Sequence, residues 1–154
     1  MVASKARANR SGKLLENAVA YTLDTYNYLR VAGWLHHAAR SLVQRIYTPQ
    51  YWIGQDIYGR RRRVDFLAYH PQNWPDGLLI QCKWQASSGS VDEKFPFEAL
   101  SIDYSEIPAL IVLDGGGYSA GAEQWLKQYS QSPNTKLVDV VNLGAFQNFA
   151  KSKM

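Results

Sequence analysis

RRRVDFLAYHPQNWPDGLLIQCKW, Arg61 to Trp84, decides the fold of this chain. RRRVDFLAYH and LLIQCKW each have the length and composition of a strand. Between them Pro71, Trp74-Pro75 and Asp76-Gly77 supply the punctuation of a hairpin connection. Pairing the two strands brings Asp65 across from Gln81 and Lys83. Side chains alternate along a strand, so Gln81, Lys83 and Gln85 share one side while Ile80, Cys82 and Trp84 share the other. The apolar side belongs to a core. The polar side is costly to bury unless its groups meet ligands, which marks it as the wall of a cleft.

One carboxylate, one amide and one lysine on adjacent strands suit phosphodiester hydrolysis, which needs a cation at the scissile phosphate and a group that orients the attacking water. Asp65 would supply an anionic ligand, the Gln81 side-chain oxygen a neutral one and the Cys82 backbone carbonyl a third. These are the oxygen donors that a hard ion such as Mg²⁺ prefers, with Mn²⁺ a substitute. Lys83 would contact the water. The plainer reading is an edge strand with Lys83 as a solvent-facing charge, but it leaves the one-sided placement of the polar groups unexplained.

The stretch VDFLAYHPQNWPDGLLIQCKWQ resembles the PD-(D/E)xK nuclease superfamily, the restriction-endonuclease-like fold. By that resemblance Asp65 corresponds to the motif aspartate, Gln81 to the usual glutamate or aspartate, and Lys83 to the motif lysine, while Asp76 belongs to the turn. The Gln-x-Lys variant is similar to that of Mrr-type restriction enzymes and of PD-(D/E)xK homing endonucleases. Replacing an anion by an amide removes a Coulomb attraction of roughly a few kcal/mol at an effective dielectric near 20, and a second carboxylate would restore it. Glu16, in SGKLLENAVAYTL, is where similar family members place a glutamate beside the metal. It flanks a helix stripe of Leu15, Val19, Thr22, Tyr26 and Leu29. The same residue is equally compatible with a solvated helix face.

With 154 residues, 46% of them hydrophobic and 13% aromatic, the chain reads as a single nuclease domain over residues 1–154. No apolar run is long enough for a bilayer, and the basic N-terminus lacks the apolar stretch of a secretion signal, so a cytoplasmic protein that meets no membrane is expected. The one cysteine, Cys82, excludes an internal disulfide. The net charge of +4 is concentrated in two places. Lys5, Arg7, Arg10 and Lys13 dominate an N-terminal segment whose first ten residues read as a basic arm that need not be ordered. Arg60, Arg61, Arg62 and Arg63 lead into Asp65. Both clusters suit phosphate and would give salt-sensitive affinity for DNA.

Elsewhere the pattern predicts a helix over Ser11 to Arg30, capped by Ser11 and stopped by Gly33, and a second over Leu35 to Ile46. The His36-His37 pair reads as a polar helix face, since neighbours on a helix point apart. Tyr51 to Tyr58 is expected as a strand completing a three-stranded meander. GSVDEKFPFEAL predicts a helix with Ser90 and Glu93 as a capping box, Asp92 and Glu93 in its first turn, and Lys94 near enough to hold a DNA phosphate. Ala109 to Leu113 reads as a central strand beside Leu79 to Lys83. Gly115 to Gly117 serve a turn before a helix containing Trp125. A late strand over Leu137 to Val141 and a helix over Leu143 to Ala150 complete an α/β fold, a mixed β-sheet with helices on both faces. The expected activity is Mg²⁺-dependent, site-specific cleavage of double-stranded DNA, of homing or restriction type, by a homodimer or homotetramer. A catalytically weak DNA-binding module and an RNA- or structure-specific nuclease are the alternatives.

Overall fold

The computed structural model describes residues 2–42, 44–86 and 92–154, with side chains from residue 10 onward. Its elements are α1 (Val2–Thr25), β1 (Leu29–Arg30), a 3-10 turn (Gly33–Leu35), α2 (His36–Leu42), β2 (Ile46–Gln55), β3 (Arg61–His70), β4 (Trp74–Trp84), α3 (Lys94–Ser105), β5 (Ala109–Asp114), α4 (Ala120–Ser130), β6 (Leu137–Val141) and α5 (Leu143–Lys153). The strands form one mixed sheet in the order β1-β2-β3-β4-β5-β6. β2, β3 and β4 are the antiparallel meander, and β5 and β6 add to it in parallel. Helices cover both faces, giving the α/β architecture read from the sequence.

Two cores follow from strand alternation. On one face Leu78, Ile80, Cys82 and Trp84 of β4 join Leu15, Val19 and Leu23 of α1 and Phe146 and Phe149 of α5. On the other, Leu79, Ile111 and Leu113 meet Phe95, Ala99 and Ile102 of α3 and Leu126 of α4. Each fully buried Leu, Ile or Phe contributes roughly 1.5–3 kcal/mol. β5 is the central strand its apolar run predicts, with Ala109 to Leu113 buried and in register with Leu79 to Lys83.

Several boundaries differ from the sequence reading, each for a local reason. α1 begins at Val2 and not at Ser11, so the backbone of the basic arm continues the helix. It ends at Thr25, where Asn27 adopts φ 62, the left-handed geometry Asn tolerates. Gly33 is therefore not its stop, and Leu29, expected in the helix stripe, is 52% exposed on β1. α2 ends at Leu42 and Ile46 opens β2, five residues before the expected start, because Ile46, Tyr47 and Thr48 are buried in the sheet. The tight turn is 71–73, and Trp74 to Gly77 already belong to β4, Asp76 with them. Gly77 (φ +98) meets a register shift there, and a Cβ on it would lie 2.9 Å from Leu67 Cδ1. α3 starts at Lys94, leaving no acidic residue in its first turn. Glu93 makes no side-chain cap, and Ser90 lies outside the described residues. No helix among the described residues is long and apolar enough to cross a membrane.

Candidate active site

The β3–β4 ladder stops at the pair Phe66–Ile80, and the next rung is closed by side chains instead of main chain. Asp65 Oδ2 accepts the Cys82 N–H at 2.7 Å, and Gln81 Oε1 accepts the Asp65 N–H at 2.9 Å. The same position is where the pleat reverses. Val64 packs in the α3-side core and Phe66 in the α1-side core, although residues two apart ordinarily share a face. On β2 the reversal falls between Tyr47 and Tyr51, at Gln50, whose φ is 53. Gln50 lies level with Asp65, between the pairs Pro49–Phe66 and Tyr51–Val64. Asp65 thus occupies a gap opened by two diverging strands.

Acidic groups flank this gap from both faces. From α1, Glu16 accepts hydrogen bonds from Gln50 Nε2 at 3.2 Å and from Lys13 at 2.9 Å. Burial raises the Asp65 pKa above the ordinary carboxylate value. The Cys82 N–H and Lys83 oppose the rise, and the charges of Glu16 and Glu98 add to it. Burial is the larger cause, and the smaller share that comes from Glu16 and Glu98 is the part that a cation at the gap would relieve. The N–H and C=O of one strand residue point to the same edge, so the Cys82 carbonyl is turned toward the gap its N–H occupies. Its partly buried thiol has a pKa raised well above normal by desolvation and is chemically quiet.

Glu98, on α3, is the residue the sequence reading missed. Only 8% exposed, it accepts from Arg62 at 2.6 Å and from Gln81 Nε2 at 3.1 Å through Oε1, and pairs with Lys83 at 3.0 Å through Oε2. Lys83 and Arg62 hold its pKa down at about 2 against the cost of burial. Glu98 occupies the core spacing of α3, with Phe95, Ala99 and Ile102, and an acid on an apolar stripe was the available signal. Gln81 is engaged at both ends, by Asp65 and by Glu98.

The basic candidates separate. Arg62, expected to face phosphate, is 7% exposed and donates to Ser101 O at 2.8 Å as well as to Glu98, because it alternates with Val64 onto the α3 side. Arg60 pairs with Asp56 at 2.9 Å and lies over Tyr58. Arg61 and Arg63 remain exposed. Lys94 shares with Lys83, Phe95, Phe97 and Glu98 the lining of a cavity of about 220 Å³. Arg10 is exposed and Lys13 borders Glu16, whereas the side chains of Lys5 and Arg7 lie outside the described residues. His36 is buried, not on a polar face, with Nδ1 2.9 Å from Thr48 Oγ1 and its pKa lowered by burial to about 4.

The arrangement of an aspartate at a strand gap, followed across it by Gln-x-Lys, coincides with a match over residues 7–154 to the sequence profile of the PD-(D/E)XK nuclease superfamily domain. The chain belongs to that superfamily. No curated protein and no solved structure matches the chain. Family membership makes this a nuclease domain with nucleic acid as its substrate, and nucleases of the PD-(D/E)XK superfamily typically use divalent metals. Among the described residues no three His, Cys, Asp or Glu side chains converge into a metal cluster. The donor chemistry at the gap, the carboxylates of Glu16 and Asp65 with the Cys82 main-chain carbonyl and the Gln81 amide oxygen, is of the hard-oxygen kind that a divalent ion takes.

Proposed function

We propose that the chain is a Mg²⁺-dependent endonuclease of double-stranded DNA. The observation that carries this reading is the Asp65 carboxylate, held at the open gap by the Cys82 N–H at 2.7 Å and influenced electrostatically by both Lys83 and Glu16. Asp65, Glu16, the Cys82 carbonyl and Gln81 Oε1 would hold the ion, with Mn²⁺ a substitute. A bound divalent cation supplies Lewis acidity at the phosphoryl oxygen and eases deprotonation of water. The Cys82 N–H fixes the Asp65 carboxylate in place. Lys83 holds the attacking water or a non-bridging phosphate oxygen, and Glu98 keeps the ammonium aimed while Arg62 balances Glu98. Arg10, Lys13 and Lys94, with Lys5 and Arg7 on the first turns of α1, add phosphate attraction.

One chain carries one such site, so cutting both strands of a duplex calls for two copies, and a homodimer or homotetramer follows. A site-specific homing or restriction role fits a domain of this size. A second reading, a DNA-binding module with little activity, is favoured by the engagement of both ends of the Gln81 amide within the protein.

Plasmid DNA incubated with protein and Mg²⁺ separates the two. Nicking or linearisation that disappears in Asp65→Ala and Lys83→Ala supports the nuclease reading, and intact plasmid, or cleavage surviving in both variants, rejects it. Parallel digestion of duplex DNA, single-stranded DNA and RNA assigns the substrate.

A further inference from the structure

Beyond the last β3–β4 pair, β2 and β3 continue as a two-stranded ribbon, paired out to Gln55–Arg61. One face of the ribbon is bolted to α3. Tyr51, Ile53 and Val64 pack into the α3-side core, Arg62 reaches Glu98 and Ser101, and Tyr58 stacks on Phe97 at 5.4 Å beyond the ribbon's end. The opposite face carries Trp52, 49% exposed, with the guanidinium carbons of Arg61 and Arg63 at 4.3 and 5.6 Å from its ring centroid. Arg63 is the direct cross-strand partner of Trp52. Among the described residues neither arginine is paired with a carboxylate, in contrast to Arg60 and Arg62.

We infer that Trp52, Arg61 and Arg63 form a preordered phosphate-binding subsite that holds the backbone of duplex DNA beside the cleavage position, with Trp52 as the positioning residue. The inference rests on the nuclease reading above for its location and on the ribbon geometry for its chemistry. Free arginines lose rotamer entropy when they grip a ligand, whereas two guanidinium groups already laid on an indole have given up much of that freedom beforehand. Two guanidinium groups already share the ring, so the patch presents cations more than a bare aromatic face, and this favours a phosphate backbone over single-strand stacking. At about 3.3 Å per residue, Arg63 and Arg61 stand roughly 7 and 13 Å up the strand from Asp65. At 3.4 Å of axis per nucleotide those distances correspond to about two and four nucleotides of a duplex strand.

Binding is read by fluorescence anisotropy in EDTA, so that nothing is cut, with a labelled duplex and the single strand of the same sequence across a potassium chloride series. Each phosphate contact contributes about 0.9 to the slope of log affinity against log salt. Arg61→Ala and Arg63→Ala are each expected to lower the slope by about 0.9, their double variant by about 1.8, and Lys151→Ala, an exposed lysine on α5, to leave it unchanged. Trp52→Ala should weaken duplex binding roughly tenfold, and Trp52→Phe should recover most of that loss. Thermal melts of every variant establish that each is folded, and the arginine variants decide the question if Trp52→Ala is not. Unchanged slopes in both arginine variants overturn the inference, as does a Trp52→Ala defect larger on the single strand than on the duplex. If slopes stay unchanged while the wild type cuts plasmid, the subsite fails and the nuclease reading stands. Slopes that fall as expected in a protein that cuts nothing leave the subsite standing and remove that reading.

Discussion

Lys83 Nζ lies 3.0 Å from Glu98 Oε2, and the other oxygen of that carboxylate holds Arg62 at 2.6 Å. The motif lysine is thus balanced by an acid from a helix, not from its own strand, and this acid sits between two cations. Removing the acid strands the buried Arg62 guanidinium and leaves Lys83 without this partner.

Glu98→Ala should therefore destabilise the fold by about 3–5 kcal/mol in urea unfolding, the cost of stranding the buried Arg62 guanidinium. Glu98→Gln keeps an acceptor and should cost less. In both variants the cleavage rate should fall along with the loss of Lys83 alignment. A Glu98→Ala midpoint within error of wild type would show that the pair contributes nothing.

Acid titration separates two buried groups. The folded-state pKa of Glu98 is lowered from 4.5 to about 2, so its contribution is present above the unfolded value and is lost as pH falls from about 4.5 toward 2. At 1.36 kcal/mol per unit this is roughly 3 kcal/mol. His36 is also lowered, from 6.5 to about 4, and its contribution is lost earlier, as pH falls from about 6.5 toward 4. Replacing His36 by Gln should flatten stability over the upper window only, and Glu98→Gln over the lower window only, as read by urea midpoints at successive pH values.

Asp65→Asn tests the site without breaking the fold. The amide oxygen still accepts the Cys82 N–H, and the neutral group removes the cost of a carboxylate whose folded pKa is raised. A raised acid is penalised above its folded pKa and not below its unfolded value of about 3.9. In EDTA the variant should melt at or above the wild-type temperature at pH 7, with the difference closing toward pH 4. Added Mg²⁺ should raise the melting temperature of wild type and not of the variant. A variant stabilised by Mg²⁺ as much as wild type would move the ion away from Asp65.

Gly115 anchors the far end of β4. At φ +101, a Cβ there would lie 2.4 Å from the Gln85 carbonyl oxygen and 2.7 Å from its carbon, and Gly117 N–H donates to that same oxygen at 2.6 Å. Gly115→Ala should cost at least about 2 kcal/mol in denaturant unfolding, from left-handed strain together with the clash. An unchanged midpoint would mean that the turn can move away from the strand.

Much of this was legible because the informative signals are local. Alternation placed Ile80, Cys82 and Trp84 on the core side and Gln81 and Lys83 opposite, and the ALIVL run announced β5. What escaped depended on partners distant in sequence. Arg62 looks like its three neighbours until α3 supplies Glu98 and Ser101, 36 and 39 residues later. The start of β2 was hidden by Pro49 and by a helix-like approach from α2, and its burial against β3 overrides both. The pleat reversal at Gln50 and Asp65 carries no sequence mark at all, since neither residue is a glycine or a proline.

The rung between Asp65, Gln81 and Cys82 is closed by side chains, and from that comes a built-in proofreading of assembly. A hairpin slipped by one residue would leave the Cys82 amide and the Asp65 amide without their acceptors and would carry Lys83 away from Glu98. Chains that have mispaired these strands therefore lack the proposed site as well as the correct fold. A half-made nuclease is a harmless one.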